Sequence, residues 1–182
     1  LRGFIPNPHD LNTLIKTCTD CALSTGRTQA VPGEGDYRAK IMLIGEAPGY
    51  HEDQRGRPFV GPAGKILDVL LKSIGLNRED VYITNMVKCR PPSNRDPLPG
   101  EIQACRKYLD KQMEIVKPKV VITLGRHSLS KFFPGETMRT ARAKPRTIDG
   151  TIYIPMYHPA AALHQQALRR TIEEDFKMIP QL

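Results

Sequence analysis

The sequence predicts an α/β fold, a three-layer sandwich in which a central four-stranded parallel sheet is covered by helices on both faces. Four short apolar runs alternate along the chain with segments whose apolar residues recur at helical spacing. This alternation is typical of parallel sheets, because each crossover helix returns the chain to the same edge and covers one face. The length of 182 residues suits one core, so residues 1–182 are predicted to form a single domain.

Each element of the N-terminal half has its own signal. A helix is predicted at residues 10–17, since Asp10 can cap it and its apolar residues fall on one face. Residues 40–45 (KIMLIG) form a continuous apolar run between turn signals, which predicts a buried strand. Residues 63–74 repeat leucine and isoleucine at helical spacing, and Gly75 closes this predicted helix.

The C-terminal half repeats the alternation. Residues 101–116 are predicted to form a long helix, because Pro118 prevents its continuation. The basic segment at residues 137–146 shows no periodicity and is predicted to be irregular. The remaining predicted strands are residues 81–84, 120–124 and 151–156, and the remaining predicted helices are residues 125–133 and 167–179.

Charge and hydropathy restrict the cellular setting. The formal net charge of +8 favours a polyanionic partner such as nucleic acid, although charge alone is a weak signal. No apolar run approaches the roughly 20 residues needed to cross a bilayer, so no membrane partner is expected. The N-terminus LRGFIPNPHDL lacks the apolar core of a signal peptide. These features predict a cytoplasmic protein.

Three loops that leave predicted strands carry polar residues suited to a site. They begin with Glu46, with Asn85 and near His158, after the first, second and fourth strands. Ligands of open parallel sheets bind beyond the carboxyl ends of the strands. We therefore expect these three side chains to lie on one rim.

The four cysteines form a separate set. Cys18 and Cys21 are a close pair, whereas Cys89 and Cys105 lie far downstream with fifteen residues between them. Two disulfides are disfavoured by a cytoplasmic location, which leaves a metal site as the stronger interpretation. Spacing alone does not separate a zinc ion held by four cysteines from an iron–sulfur cluster.

Five motifs carry a resemblance to a known family. They occur in order around the four cysteines: GEAPG from residue 45, GRPFVGPAG from residue 56, TNMVKCRPPSNRDP from residue 84, TLGRHS from residue 123 and YHPAAAL from residue 157. Together they resemble the family 4 uracil-DNA glycosylases, which are the iron–sulfur uracil-DNA glycosylases of bacteria and archaea. The resemblance extends over roughly residues 18–176.

The resemblance implies an activity and a cofactor. The expected activity is that of a monofunctional DNA glycosylase, which flips uracil out of DNA and hydrolyses its N-glycosidic bond to start base excision repair. The expected cofactor is a [4Fe-4S] cluster held by Cys18, Cys21, Cys89 and Cys105. Such a cluster would join the N-terminal segment to the loop and helix around residues 89–105.

The resemblance also implies a set of uracil-binding residues, namely Glu46, Ala47, Glu52, Phe59, Asn85 and His158. Phe59 corresponds to the side chain that stacks on the flipped base. Asn85 corresponds to the reader of uracil, since a carboxamide can accept from N3–H and donate to O4. Glu52 corresponds to the residue that excludes the methyl group of thymine, with Tyr50 and His51 as nearby alternatives. Each of these residues could instead have a structural role, such as core packing for Phe59.

Two positions are assigned to the chemistry. His158 corresponds to the donor that stabilises negative charge on uracil O2. Glu46 is the acidic candidate for orienting water or favouring the cationic sugar. Better-known uracil-DNA glycosylases have an aspartate at the next position, where this chain has Ala47, and family 4 members typically lack that aspartate too. No lysine nucleophile is required, so no strand cleavage is expected.

DNA contacts are predicted from two further segments. Leu163, or Ala162 beside it, could wedge into the space that the flipped base leaves, although Leu163 could equally begin a helix and pack inward. The basic segment is a candidate phosphate grip through Arg139, Arg142, Lys144 and Arg146. Because that segment has no histidine, no covalent trapping of uracil is expected. The expected partner is single- or double-stranded DNA that contains uracil, bound by a monomer.

Two alternatives remain at this stage. One is another iron–sulfur uracil-DNA glycosylase family with a wider substrate range, whose first loop usually lacks the acidic residue found here as Glu46. The other is a zinc-bound, non-enzymatic DNA-binding module, which would not need the set Glu46, Phe59, Asn85 and His158.

Overall fold

The structure is a computed structural model, and it describes residues 6–179. The predicted absence of a signal peptide rests in part on residues 1–5, which lie outside the described residues together with residues 180–182. The prediction that residues 1–182 form a single domain includes these residues at both ends, so it stays a prediction.

Helices and strands alternate through the described range. The helices are α1 (Pro8–Thr17), α2 (Leu23–Gly26), α3 (Tyr50–Arg55), α4 (Pro62–Ser73), α5 (Pro99–Val116), α6 (Arg126–Phe132), α7 (Met138–Ala141), α8 (Ala161–His164) and α9 (Gln166–Phe176). The strands are β1 (Glu34–Gly35), β2 (Ile41–Gly45), β3 (Tyr82–Asn85), β4 (Val120–Leu124), β5 (Arg146–Ile148) and β6 (Thr151–Met156). Short 3₁₀ turns occur at Arg78–Asp80 and Pro92–Asn94.

Within residues 6–179 the strands form one six-stranded sheet in the order β1-β3-β2-β4-β6-β5. The four predicted strands correspond to β2, β3, β4 and β6, and all pairings among them are parallel, as predicted. The outer strands β1 and β5 pair antiparallel and were not predicted. They contain two and three residues without an apolar run, so no periodicity can reveal them.

Alternate side chains of the sheet fill two separate cores. On β2, Leu43 packs in the core shared with α4 and α9. Met42 and Ile44 face the opposite core, which is shared with α5 and α6. This division follows from the period of two along a strand. The result is the predicted three-layer α/β arrangement.

A third apolar cluster lies outside the sandwich and joins α1 to α5. Leu11 and Ile15 of α1 pack there with Tyr108 of α5 and with Val87 from the loop after β3. The four cysteines belong to the same cluster or pack against it. The N-terminal segment therefore packs against the region around residues 89–105, while their connection by an iron–sulfur cluster stays a prediction.

Four short helices lie where the sequence predicts loops. α2 falls in the stretch between α1 and β2, α3 in the glycine-rich loop after β2, α7 in the basic segment predicted to be irregular, and α8 in the loop that begins near His158. α2, α7 and α8 each contain four residues and α3 contains six, so an apolar stripe has no room to repeat. Among the helices described, none has the length and apolar character required to traverse a bilayer.

Candidate active site

The predicted rim residues lie at the carboxyl edge of the parallel sheet. Gly45 at the end of β2 is in register with Asn85 at the end of β3. Glu46 follows Gly45 directly, and His158 lies two residues beyond the end of β6. The parallel topology thus brings three distant parts of the sequence to one edge, as expected from strand ends.

Phe59 links the residues of this edge. Its ring stacks on the imidazole of His158 with 5.4 Å between centroids and 24° between planes. A Cβ atom on Gly45 would lie 2.7 Å from Phe59 Cζ and 2.4 Å from Asn85 Oδ1. Glycine at position 45 therefore lets the aromatic ring and the carboxamide come together.

The backbone of Phe59 is strained, and hydrogen bonds from Arg78 hold it in place. Its φ of 50° lies in the left-handed region, which is uncommon for an aromatic residue. Arg78 donates to the carbonyl oxygen of Phe59 at 3.0 Å and to that of Pro58 at 2.6 Å. The same guanidinium is paired with Glu34 and Asp68, so its position is fixed. Arg78 thus fixes the position of the Phe59 ring, and a preorganised ring loses little entropy when a ligand binds.

Asn85 carries a buried acceptor without a partner. Its side chain is 2% exposed, and among residues 6–179 Oδ1 has no hydrogen-bond donor. Leaving a buried polar atom unpaired costs about 1–3 kcal/mol, so such atoms need an explanation. A ligand that brings its own N–H group supplies one.

Lys88 binds the backbone at the same strand end. It is 1% exposed, and its Nζ donates to Thr84 Oγ1 at 2.7 Å, to the Asn85 carbonyl oxygen at 2.7 Å and to Gln112 Oε1 at 2.6 Å. Burial lowers the pKa of Lys88 to about 7. These contacts fix the backbone of Asn85 against α5.

His158 is held in one orientation and one tautomer. Its Nδ1 accepts a hydrogen bond from the backbone N–H of Ala160 at 3.1 Å. In a neutral imidazole the other nitrogen, Nε2, then carries the proton. Desolvation lowers the pKa of His158 to about 4, so the ring is neutral at physiological pH. The site therefore offers a neutral N–H donor beside Phe59.

Glu52 binds backbone amides rather than another side chain. Its Oε1 accepts from the N–H groups of Val60 and Gly61, both at 2.9 Å, and its Oε2 accepts from Gly49 at 3.1 Å. The carboxylate therefore closes the loop after β2 onto the loop that carries Phe59. Its predicted place at the base edge stays a prediction. His51, an alternative for that place, lies near Gly61, where an added Cβ would be 3.1 Å from its ring.

The Glu46 carboxylate occupies the space next to Gly125, the residue that follows β4. A Cβ on Gly125 would lie 2.2 Å from Glu46 Oε1, and Gly125 has a φ of +99°. The other oxygen, Oε2, accepts from the backbone N–H of His127 at 3.3 Å. Burial raises the pKa of Glu46. Ala47 packs against the α1–α5 cluster, so the position after Glu46 contributes an apolar contact.

The four cysteines line one small cavity between α1, the loop after β3 and α5. All four are free thiols, which excludes the two-disulfide alternative in this structure. Burial raises the pKa of Cys105 to about 11, so a bound cation is needed to stabilise its thiolate at neutral pH. Arg27 Nη1 lies 3.0 Å from Cys89 Sγ as a donor. Four thiols around one cavity are the donor type that zinc and iron–sulfur clusters take, although no three acidic, histidine or cysteine side chains of residues 6–179 converge as a single-ion site.

The predicted DNA contacts differ in exposure. Leu163 on α8 is 45% exposed, so it does not pack inward. In the basic segment Arg139 and Lys144 are exposed. Arg142 is paired with the buried Asp175, and Arg146 is paired with Glu136. Half of the predicted phosphate grip is thus already engaged within the molecule.

The sequence did not single out His127, Lys88 or Arg78. For Lys88 a signal existed, because a lone lysine follows a run of strand and apolar residues (YITNMV) next to Cys89. His127 lies in the quoted TLGRHS motif but received no role. Arg78 has no local signal, since its partners lie between 10 and 44 positions away.

Comparison with known proteins gives a consistent set of similarities. The model of the uracil DNA glycosylase superfamily matches residues 32–177. The chain is 50% identical to the type-4 uracil-DNA glycosylase of Sulfurisphaera tokodaii, over 91% of this chain and 80% of that protein. It is 49% identical to the type-4 enzyme of Saccharolobus solfataricus, over 91% and 81%, and 44% identical to that of Archaeoglobus fulgidus, over 95% and 92%.

Proposed function

Because the chain belongs to the type-4 uracil-DNA glycosylases of the uracil-DNA glycosylase superfamily, we propose that it is a monofunctional DNA glycosylase. It flips uracil out of DNA and hydrolyses the N-glycosidic bond, which is the first step of base excision repair. The observation that carries this proposal is the buried, unpaired Oδ1 of Asn85 within the described residues, beside the Phe59 ring.

The pocket recognises uracil by stacking and by one acceptor. The flipped base stacks on Phe59, which offsets part of the few kcal/mol that unstacking costs. Asn85 Oδ1 accepts from uracil N3–H, whereas cytosine has no proton on N3. Cytosine would leave the buried acceptor unpaired, and sites built on a hydrogen bond reject analogues that lack it strongly.

His158 acts on the leaving group. As the glycosidic bond breaks, its electron pair moves onto uracil and negative charge develops on O2. The neutral His158 donates a hydrogen bond from Nε2 to that oxygen, where a preorganised donor lowers the barrier. The ring needs no proton transfer to do this, because uracil departs as an anion.

Glu46 acts on the sugar and the attacking water, whereas His158 acts on the leaving base. A carboxylate stabilises the cationic sugar and orients the water whose oxygen forms the new bond to C1′. Ala47 offers no polar group for this task, so Glu46 is the acidic candidate. Lys88 is not free to act as a nucleophile, since its side chain is 1% exposed and its Nζ is hydrogen-bonded to groups of the protein. Both points support a reaction that ends with the base-free sugar and an intact strand.

Four more residues shape the encounter with DNA. Glu52 fixes the wall of the pocket through its amide contacts and, in this proposal, excludes the methyl group of thymine by that wall. Leu163 is exposed on the loop that begins at His158, where it can fill the space of the flipped nucleotide. Arg139 and Lys144 contact phosphates, while Arg142 and Arg146 are less available because of their ion pairs.

The four cysteines hold a [4Fe-4S] cluster in this proposal. The cluster supplies a structural crosslink, since hydrolysis of the glycosidic bond transfers no electrons. Cys18 and Cys21 would bind it from the segment after α1, Cys89 from the loop after β3 and Cys105 from α5. Four free thiols around one cavity also fit zinc, so the metal must be measured. Bound iron and sulfide with absorption in the violet range support the cluster, and a colourless zinc protein contradicts it.

The location and assembly complete the proposal. Free thiols at all four cysteines suit a reducing cytoplasm, where disulfides are rare. The substrate is uracil-containing DNA, single- or double-stranded, and the protein acts as a monomer. Size-exclusion chromatography with light scattering tests the monomer.

The activity is tested with DNA that carries one uracil. Release of uracil followed by strand scission only after alkali is the expected result, on single- and double-stranded substrates. If neither substrate loses uracil, the function is wrong, and if strands break without alkali, the enzyme is not monofunctional. His158→Ala should lose most activity and still bind DNA, whereas full activity in this variant contradicts the role of His158.

A further inference from the structure

The imidazole of His127 lies next to the carboxylate of Glu46. His127 lies in the first turn of α6, and its Nε2 is 3.5 Å from Glu46 Oε2. The backbone N–H of His127 donates to the same oxygen at 3.3 Å. Both side chains are about one-fifth exposed, at 21% and 20%. One residue therefore contacts the Glu46 carboxylate through its main chain and its side chain.

Asp96 approaches the same nitrogen of the imidazole as Glu46. Its Oδ1 lies 3.6 Å from His127 Nε2. The loop that carries it is anchored, because Arg95 donates to the Asp96 carbonyl oxygen at 2.9 Å and to Glu101 Oε1 at 2.7 Å. Arg126 forms an ion pair with Asp96 as well. Two carboxylates thus lie near His127 Nε2, and of the two only Glu46 belongs to the proposed catalytic set.

Charge explains what this arrangement can do. Burial is the main cause that raises the pKa of Glu46, and the charge and backbone amide of His127 are the main causes that oppose it. The charged groups that face Glu46 are His127 and Arg126 from α6 and Asp96 from the loop before α5. A neutral Glu46 would stabilise a cationic sugar poorly, since the attraction depends on its charge. A nearby imidazolium favours the ionised form.

We propose that His127 is a positioning residue for the glycosylase reaction, which holds the Glu46 carboxylate in place at the end of β2 and keeps it ionised, with Asp96 orienting the imidazole. The inference rests on the proposed function, because it assigns a task to Glu46 within it. It also accounts for a buried imidazole nitrogen that has no hydrogen-bond partner of normal geometry among the described residues.

The test is the pH profile of uracil release under single-turnover conditions. His127→Gln removes the charge and leaves a polar side chain of similar size. Glu46 is the group that gains a proton as the pH falls, so the loss of a neighbour that favours its ionised form should cost most at low pH. The ratio of wild-type to variant rate should therefore rise severalfold between pH 8 and pH 5.5. A loss of packing alone would lower the rate by the same factor at every pH.

A double-mutant cycle identifies the route of the effect. In a Glu46→Gln background the substitution His127→Gln should have no pH-dependent effect, because there is no carboxylate left to ionise. If the pH-dependent loss is the same in both backgrounds, His127 does not act through Glu46 and the inference is wrong. His9→Gln is the matched control, since His9 is exposed on α1 and should leave the profile unchanged.

A direct titration separates this inference from the proposed function. Carbon-13 NMR of the Glu46 carboxyl group should report a higher pKa in His127→Gln than in the wild type, whether or not the enzyme is active. If the wild type releases no uracil, the proposed function fails, while this titration still measures the effect of His127 on the pKa of Glu46. If the wild type is active and the pKa of Glu46 is unchanged, only the role of His127 fails. Should His127→Gln not fold, as judged by its thermal unfolding, His127→Asn is used in its place.

Discussion

At the scale of single residues, the active-site edge contains polar groups whose partners are absent or unusual. Asn85 has a buried oxygen without a donor among residues 6–179, and His158 is a neutral histidine between Phe59 and a backbone amide. Such features destabilise the folded state slightly and persist where the surrounding structure compensates for them. Removing them should therefore harm activity more than stability.

Asn85→Ala should separate activity from stability. The rate of uracil release should fall by about a hundredfold or more, because the variant cannot form the hydrogen bond that selects uracil. The free energy of unfolding should change by less than about 1 kcal/mol, since the weaker packing is offset by removal of an unpaired acceptor. Single-turnover assays and urea denaturation measure both. Asn12→Ala on α1 is the control, and an equal loss of rate there would contradict the assignment.

His158 should make the protein less stable in acid. Its pKa is about 4 in the folded state, against a usual value of 6.5, so the unfolded chain binds more protons between these values. Stability should therefore fall as the pH is lowered through this window, by about 2 kcal/mol between pH 7 and pH 5.

The measurement is the free energy of unfolding in urea at both pH values. In His158→Asn this part of the loss should be missing, so the variant should approach the wild type in relative stability at pH 5. An identical pH dependence in the two proteins would show that His158 titrates normally.

At the scale of elements, the packing of α4 against the Phe59 loop determines where the stacking ring lies. Gly64 is in the first turn of α4, and a Cβ there would lie 1.9 Å from the Phe59 carbonyl oxygen. The helix can approach the loop only because this position has no side chain. Arg78 then holds the same carbonyl from the other side.

Two glycine-to-alanine substitutions should have opposite effects. Alanine is normally favoured over glycine within a helix by about 1 kcal/mol. Gly64→Ala should nevertheless destabilise the protein by about 1–3 kcal/mol, because the backbone of Phe59 must move. Gly100→Ala in the first turn of α5 meets no atom within 4 Å and should be neutral or stabilising.

Thermal unfolding measures both effects, and single-turnover assays add a second criterion. Uracil release should be slowed by Gly64→Ala alone, since the stacking ring follows the displaced backbone. Equal behaviour of the two variants would show that the contact between α4 and the Phe59 loop does not constrain the site.

At the scale of the whole molecule, the formal net charge is +8. Ion pairs within the protein reduce the number of positive side chains that are free to contact DNA. Arg139 and Lys144 are exposed beside the carboxyl end of β6, where Ala143 donates to the Pro155 carbonyl oxygen at 2.8 Å. Arg142 in the same segment is committed to Asp175. The charges available to DNA are therefore fewer than the basic segment suggests.

Salt dependence of DNA binding should reveal those charges. Removing one cation that neutralises a phosphate reduces the slope of log K against log salt concentration by about 0.9. The double variant Arg139→Ala with Lys144→Ala should therefore reduce the slope by roughly 2, and Arg146→Ala should change it less because Arg146 is paired with Glu136.

Fluorescence anisotropy at several salt concentrations gives these slopes. Arg38→Ala with Lys119→Ala is the matched control, because both exposed cations precede strands and lie at the amino edge of the sheet. An equal change in slope for this control would show that the effect is one of net charge and not of a DNA-facing segment.

The parallel part of the fold could be predicted because its signals are local. Buried strands such as β2 and β4 are continuous apolar runs, and helices such as α4 repeat their apolar residues over three turns. The edge strands and the short helices could not be predicted, because a segment of two to six residues has no room for a period. β1, for example, is defined only by its hydrogen bonds to β3.

The order of the four parallel strands and of the longer helices, the residues at the strand ends and the family resemblance follow from the amino-acid sequence, since these depend on neighbours along the chain. How the side chains are used follows only from the folded structure. That structure leaves Asn85 Oδ1 without a donor among the described residues, commits the Glu52 carboxylate to backbone amides and places His127 next to Glu46. Burial and charge at a site are sums over groups that are distant in sequence, so the pKa values and partners of these residues exist only in the folded molecule.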